Sequence, residues 1–523
     1  MIPSEVRPAF CPSCLPENSS LLLQVFLIGE LFTVLVGGMK PLFLFFIVWA
    51  GTCQIIFAEP KLNVMFITLD DMNRDSVGVY GSKVKGTTPN IDKLAKQGLR
   101  FEHGHVSIAI CMPTRAVWMT GCYPHNSGAL GFTKIKSDVP TLPETLQKNG
   151  FMTGIIGKTE HVVPSRQKAF GYRRDRSEMA NGRSQELYGK FTAEFLGQVK
   201  KADKPFFLMV NSHDPHRPFD NRKLASERKF AVEVEGTSKD KKKGRGADYP
   251  APSRIYQPEE IVIPGFLPDL PPIREEIAQY YSSVSRADDV VGRVLAELEK
   301  AGFAKNTLVM LKSDHGIPVP FAKTNVWRHS TLTPWIVCWP GTIKPGIHEK
   351  EHVVTGVDFA PTIIDALGLE PMDGMDGRSF LPVLKGKKQK GREFAYTHIN
   401  TIASGRSYTM RSLQGKRYGL IWNGWHDGET AFKNESMSGL TWKAMAKAAE
   451  NDSALAKRVK HYLYRTPFEF YDYEKDPDAL RNQIGDNQHA KLVSRYGKEL
   501  NRIMKKTGDH ETARFQKALK KIQ

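Results

Sequence analysis

Hydrophobic runs that end abruptly in polar residues set the rhythm of this chain. KLNVMFITLDD (61–71) is continuously apolar up to two acids. A run without polar alternation predicts a strand covered on both faces, as in a parallel sheet, with Asp70 and Asp71 delivered at its carboxyl end. TPNIDKLAKQGLRF (88–101) then reads as a helix that Thr88-Pro89 starts and Gly98 stops. FMTGIIGK, PFFLMVNSHDPH and TLVMLKSDHG repeat the strand pattern, each running into a polar end, and the helical stretch REEIAQYYSSVSRADDVVGRVLAELEKAG separates the last two. Strands alternating with helices predict an α/β sandwich with a large, mostly parallel central sheet. Ligands in such sheets lie at the carboxyl ends of the strands, where the polar residues of this chain gather.

Beyond about Gly386 the pattern changes. SYTMRSLQGKRYGLIWNG predicts a hairpin around Gln414-Gly415, and YRTPFEFYDYEKDPDALRNQI a strand, a turn and a helix. Together they suggest a smaller C-terminal antiparallel-sheet subdomain, closed by KKTGDHETARFQKALKKIQ as a basic terminal helix or tail. The expected organisation is a leader at 1–58, a catalytic domain at 60–385 and the C-terminal subdomain at 386–523. Residues 235–256, rich in Lys, Gly and Pro, read as an exposed insertion.

The leader is expected to be an address. Met39-Lys40 precedes PLFLFFIVWAGTCQIIFA, which ends in the small residue Ala58. A positive start, an apolar run and a small residue fit a secretory signal peptide, with Met39 as the expected true start. Export to a periplasmic, secreted or lumenal compartment follows; a lipoprotein signal ending at Cys53 or an uncleaved membrane anchor are the alternatives. Six cysteines occur, three of them in this leader, and the odd number left is no disulfide framework. Cys122 and Cys338 are expected either to pack or to form a single disulfide.

Composition narrows the partner. With 41% apolar and 25% charged residues the chain is globular, and 74 Lys and Arg against 56 Asp and Glu give a net charge of +18. A surface that basic suits polyanions, although solubility alone is the plain alternative.

Four polar sets fall at or near strand ends: Asp70-Asp71, Cys111 with Arg115, Lys158 with His161 and His213, and Asp314-His315 with Lys323. Three carboxylates and an imidazole converging on one spot repel one another unless a divalent cation with mainly oxygen ligands joins them. Taken singly, an Asp pair is more often a cap or turn, and a loop His more often inert.

Cys111-Met-Pro-Thr-Arg115, followed by a helix and Thr120-Gly121, resembles the C-x-P-[ST]-R signature of type I sulfatases, in which the cysteine is oxidised to formylglycine (3-oxoalanine). LDD, GIIGKTEH, SHDPHRP and KSDHG stand in that family's order, and the resemblance spans residues 62–485. SDHGIPVPFAKTN, HDPHRP and HYLYRTPFEFYDYEKDPDALRN are similar to the heparan N-sulfatase (sulfamidase) branch. Here Thr114 replaces the commoner serine, His315 the family's Asn and Lys323 its Arg.

The resemblance implies an alkaline-phosphatase-like fold and a sulfatase acting on sulfated sugars, with N-sulfoglucosamine as the candidate substrate. It also implies calcium, with magnesium as alternative, held by Asp70, Asp71, Asp314, His315 and the residue made from Cys111. Arg115 would orient that residue, with His161 beside it. Lys158 and Lys323 would neutralise the sulfuryl group, His213 would be the general acid, and Arg217 a further substrate contact. A formylglycine-generating enzyme is the implied maturation partner, nucleic acid is not an expected partner, and a homodimer is the expected assembly. Rival activities are an O-sulfatase for another polysaccharide, a phosphate or phosphonate monoester hydrolase, and a glycan-binding pseudo-sulfatase. His125 and His216 read as supporting or plain loop residues, and His103 and His105 have no assigned role.

Overall fold

A computed structural model describes residues 61–163, 166–220 and 249–522. The leader and most of the 235–256 insertion lie outside the described residues. Among the described residues no helix is long and apolar enough to cross a membrane.

The first half alternates as its hydrophobic pattern dictates. β1 (Asn63–Leu69) is buried at all seven positions, which is why its sequence does not alternate. α1 (Pro89–Gln97) opens on proline, which fits the first turn of a helix, and leads into β2 (Leu99–His105). α2 (Cys111–Thr120) is buried along its whole length and stops at Gly121, whose φ of 67° most residues avoid. There follow β3 (Met152–Ile156), β4 (Tyr172–Arg174), α3 (Gln185–Ala202), β5 (Phe206–Asn211), the 30-residue α4 (Pro271–Lys300), β6 (Thr307–Ser313), β7 (Trp335–Cys338), β8 (Ile347–Thr355) and α5 (Phe359–Ala366).

The eight strands lie in the order β4-β3-β5-β1-β6-β7-β2-β8. Every pairing is parallel except the two made by β7, so the sheet is mostly parallel. Its two faces bury separate cores. Met65, Ile67 and Leu69 of β1 pack with Val284 and Val291 of α4, whereas Val64 and Phe66 pack with α2 and α5. Phe66 stacks on Phe359 at 4.1 Å and meets the edge of Trp118 at 5.1 Å.

A second, four-stranded sheet is antiparallel throughout. It comprises β9 (Phe394–Thr401), β10 (Ser407–Gly415), β11 (Tyr418–Asn423) and, after α6 (Leu440–Ala448) and α7 (Ser453–Tyr464), β12 (Phe468–Asp472). α8 (Ala490–Lys506) and α9 (Thr512–Leu519) cover one face: Tyr496 meets Phe394 at 5.2 Å, and Phe515 meets Trp422 at 5.3 Å. The other face rests on the loop after β6, where Trp327 donates to Glu469 at 2.9 Å and Gln414 donates to the Val326 carbonyl at 2.9 Å. Ile399, Leu420 and Phe470 belong to the same core cluster as α4, and the described residues belong to one compact unit.

Three local expectations are corrected. The β10–β11 turn falls on Lys416-Arg417, because Gln414 is held inside the strand by Val326 and Ser412. No helix follows β12 directly. The Asp476 carboxylate instead accepts from the amides of Leu480 and Arg481, an alternative to helical bonding that ties residues 477–486 into a loop. Cys122 and Cys338 are both free and buried, with their thiols against backbone carbonyls, so packing describes them and a disulfide does not.

The junction between the sheets depends on a fully buried pair. Arg465 bonds Glu469 and Asn325 at 2.6 Å each, and its guanidinium stacks 3.6 Å from the Trp327 ring. Glu469→Ala would strand the Arg465 charge in the interior, and we expect a loss of about 3–5 kcal/mol in urea unfolding. A loss under about 1 kcal/mol, the range of exposed pairs, would show that the junction does not depend on it.

Candidate active site

Four adjacent strands, β3, β5, β1 and β6, deliver the site. Their registers bring the chain ends level: Ile156 lies beside Val210, Thr68 beside Asn211, and Leu69 beside Ser313. The residues just past those ends are Lys158, His213, Asp70-Asp71 and Asp314-His315. Two of them sit in strained backbone, Asp71 at φ 70° and Lys158 at φ 52°. Such conformations persist where surrounding structure enforces them, as at binding sites. Gly157, at φ 75°, precedes Lys158; a Cβ there would collide with the Asn211 carbonyl, so the turn that aims Lys158 needs glycine.

Cys111 is the first residue of α2 and is 4% exposed. Its Sγ lies 3.2 Å from His315 Nε2. One oxygen each from Asp70 and Asp71, the Cys111 sulfur and a His315 nitrogen lie within 4.8 Å of one another. Asp314 borders this group: Oδ1 accepts the Asp71 amide at 3.1 Å and lies 3.6 Å from His315 Nε2. His315 Nδ1 faces Asp71 Oδ1 at 3.0 Å and the Gly316 carbonyl at 3.1 Å. The Gly316 carbonyl at Nδ1 favours the proton there and leaves the Nε2 lone pair directed at the cluster.

Arg115 follows Cys111 by one helical turn, so both reach the same side of α2. Its guanidinium donates to Thr68 Oγ1 at 2.8 Å, Asn211 Oδ1 at 2.6 Å and Asp314 Oδ2 at 3.1 Å, and stands 3.7 Å from Asp70. Lys158 pairs with Asp70. Lys323 bridges Asp71 at 3.0 Å and Glu435 at 2.9 Å. His213 Nδ1 is 3.5 Å from Asp70 Oδ2. His161, in the helical turn after Lys158, packs its ring edge-on to Phe132 at 5.6 Å. Arg217 is held by partners outside the cluster. It pairs with Glu276 at 2.7 Å and donates to the Pro318 carbonyl, so its charge is already committed within the protein.

Burial and mutual repulsion set the protonation states. Burial, with Asp70 close by, pushes Asp314 well above the carboxylate range. Asp71 rises to about 7, with burial prevailing over Lys323. Burial also opposes ionisation of Asp70, yet Lys158 and His216 beside it hold that carboxyl well below its ordinary value. Burial pushes the Cys111 thiol well up, so as a thiol it is a poor nucleophile. Burial and Lys323 keep His315 neutral. Burial and Lys158 keep His213 neutral, and the same pair of causes lowers His161 to about 3.

The donor set fits a divalent cation. Both Asp70 oxygens and Asp71 Oδ1 are buried without a hydrogen bond, and a neutral imidazole aims its free nitrogen at them. Buried acceptors in that number are costly unless something positive satisfies them.

Several participants carry no sequence signal of their own. Asn211 closes β5 and holds Arg115, but reads as an ordinary strand end. His216 packs 4.8 Å from the His213 ring; its place three residues on in HDPH was the available hint. Glu435 reaches Lys323 from the far half of the chain, in a polar loop without periodicity. Beneath His213, Asp214 is clamped by Arg183 at 3.3 Å and Arg286 at 2.6 Å, which fixes the loop.

The family model described as Sulfatase matches residues 62–369, and that for the C-terminal part of N-sulphoglucosamine sulphohydrolase matches 314–430. The human N-sulphoglucosamine sulphohydrolase is 30% identical over 469 residues, covering 85% of this chain and 89% of that protein. An ulvan-active sulfatase of Formosa agariphila is 24% identical over 86% of this chain and 75% of its own length. A structure solved with its substrate D-glucosamine-2-N,6-O-disulfate superposes with a TM-score of 0.63 at 20% identity, covering 86% of this chain and 99% of the other.

Calcium titration followed by thermal unfolding tests the donor set. At a hundredfold excess over Kd the wild type should gain about 2.7 kcal/mol. Metal-free Asp71→Asn, relieved of one buried like charge, should start more stable than the metal-free wild type and gain little. Equal gains in both proteins would place the ion elsewhere.

Proposed function

The chain belongs to the sulfatase family, and on that premise we propose that it hydrolyses the N-linked sulfate of N-sulfoglucosamine in a sulfated glycan, using formylglycine made from Cys111. The observation that supports this most is the placement of Cys111: a buried thiol of raised pKa, grouped with three further potential metal ligands, Asp70, Asp71 and His315, and flanked by two lysines. Such a thiol has little use as it stands. Oxidised to formylglycine and hydrated, the same side chain supplies one hydroxyl to take the sulfuryl group and a second to release it. Calcium, with magnesium as alternative, would be held by Asp70, Asp71, Asp314, His315 and residue 111, and would supply Lewis-acid polarisation.

The chain's own residues divide the remaining work. Arg115 fixes Asp314 and, one turn away, the orientation of residue 111. Lys158 and Lys323 approach from β3 and from the loop after β6, and pair with Asp70 and Asp71. With those acids otherwise neutralised, both lysines present their charge to the sulfuryl oxygens, where negative charge builds. His213 protonates the departing amine nitrogen as the N–S bond breaks. Burial, with Lys158 and Arg183 close by, keeps it neutral in the free protein, and an anionic sulfuryl group offsets those cations and raises its pKa. His161, neutral, offers a hydrogen bond beside residue 111. A formylglycine-generating enzyme is the maturation partner this chemistry needs, and export by the leader fits a glycan substrate.

N-sulfoglucosamine is favoured over an O-sulfated sugar by the human relative, which covers nearly the whole chain. Matched assays on N-sulfated and 6-O-sulfated glucosamine decide between them. We expect turnover of the N-linked group; turnover of the ester alone would assign an O-sulfatase. His213→Ala should lower kcat by roughly 10²–10⁴-fold while leaving the metal-induced stabilisation in place. An unchanged kcat would remove His213 from the reaction.

A further inference from the structure

α8 carries a single-sign stripe. Lys491, Arg495, Lys498, Arg502 and Lys505 recur at alternating steps of four and three residues, all exposed, so they lie along one face of the helix over about 21 Å. Like charges at that spacing destabilise a helix, and a merely solvated face ordinarily intersperses acids. Residues 490–522 hold ten Lys and Arg against three acids. Those acids are all engaged: Glu499 by Arg502, which leaves Lys491, Arg495, Lys498 and Lys505 to carry the charge of the stripe, Asp509 by Arg411, and Glu511 by Arg514. Where α8 meets α9, a notch is lined by Lys498, Lys517 and Lys520 with the amides of Asn501 and Gln516. Lys498 belongs to both stripe and notch, so the two are continuous.

From this arrangement we propose that the outer face of α8 and the α8–α9 notch form a tethering site for a sulfated polysaccharide chain, a proposal that rests on the sulfated-glycan substrate given above. Regularly spaced cations match regularly spaced sulfates, and the amides suit sugar hydroxyls. A lipid surface fits less well. The apolar side of α8, with Val493, Tyr496, Leu500 and Met504, is already buried against the small sheet, and no large apolar residue of α8 is exposed. The small sheet lies between α8 and the Trp327 loop, so the stripe and the catalytic cluster cannot share one short sugar. The site instead holds a long chain near the catalytic centre and raises its local concentration.

The test uses the full-length matured protein and the variant Lys491→Glu/Arg495→Glu/Lys498→Glu/Lys517→Glu, none of whose positions touches the catalytic cluster. Binding to long heparin chains at about 0.15 M salt should weaken by roughly tenfold or more, and the remaining affinity should depend less on salt. Turnover of the N-sulfoglucosamine monosaccharide and the melting temperature should not change. Unchanged heparin binding, a parallel fall in monosaccharide turnover, or wild-type binding to polyglutamate or anionic phosphatidylserine vesicles as tight as to heparin would each overturn the proposal. Should the wild type fail to turn over N-sulfoglucosamine, the substrate assignment falls, while the binding measurement still reads the tether.

Discussion

Asp70, Asp71 and Asp314 are packed together at 0% exposure, and the structure around them is organised by their repulsion. Two carboxylates 4 Å apart repel by about 4 kcal/mol at a typical effective protein dielectric. Here the conflict is met in two ways. Arg115, Lys158 and Lys323 bring positive charge, and Asp71 and Asp314 have raised pKa values. Both Asp70 oxygens and Asp71 Oδ1 are still left without a hydrogen bond, and a divalent ion would meet them.

The architecture can be understood as the means of enforcing that encounter. Parallel strands end on the same side of a sheet, so four neighbours place their terminal residues within reach of one another without a long loop. The strain at Asp71 and Lys158 is tolerated because both strands below are buried on both faces. The Arg183–Asp214–Arg286 clamp holds the His213 loop from beneath, and Glu435 ties the C-terminal half to Lys323. The second sheet is thereby coupled to the site through the Lys323–Glu435 ion pair and through the Trp327–Glu469 junction.

Much of the site was legible because parallel strands advertise themselves. An uninterrupted apolar run followed by an acid, a lysine or a histidine marks the carboxyl end of a buried strand, and β1, β3, β5 and β6 all follow that form. What escaped has physical reasons. Asn211 and Glu435 act through contacts whose partners lie far away in sequence, and no local pattern encodes them. Arg217 is paired with Glu276 on α4, a contact that its motif-like stretch does not reveal. The missing helix after β12 lost to a local competition, in which the Asp476 side chain captures two amides that a helix would need. Cys122 and Cys338 pack against separate carbonyls, a distinction invisible to counting cysteines.

The central claim is that the side chain at position 111 and the acids of two neighbouring strand ends share one divalent ion. A crystal structure of the matured protein grown with calcium, phased for anomalous signal, tests it most directly. The account predicts one strong peak among Asp70, Asp71, Asp314 and His315, touching an oxygen on residue 111. A peak away from that cluster, or an intact thiol at position 111 in fully active protein, would contradict it.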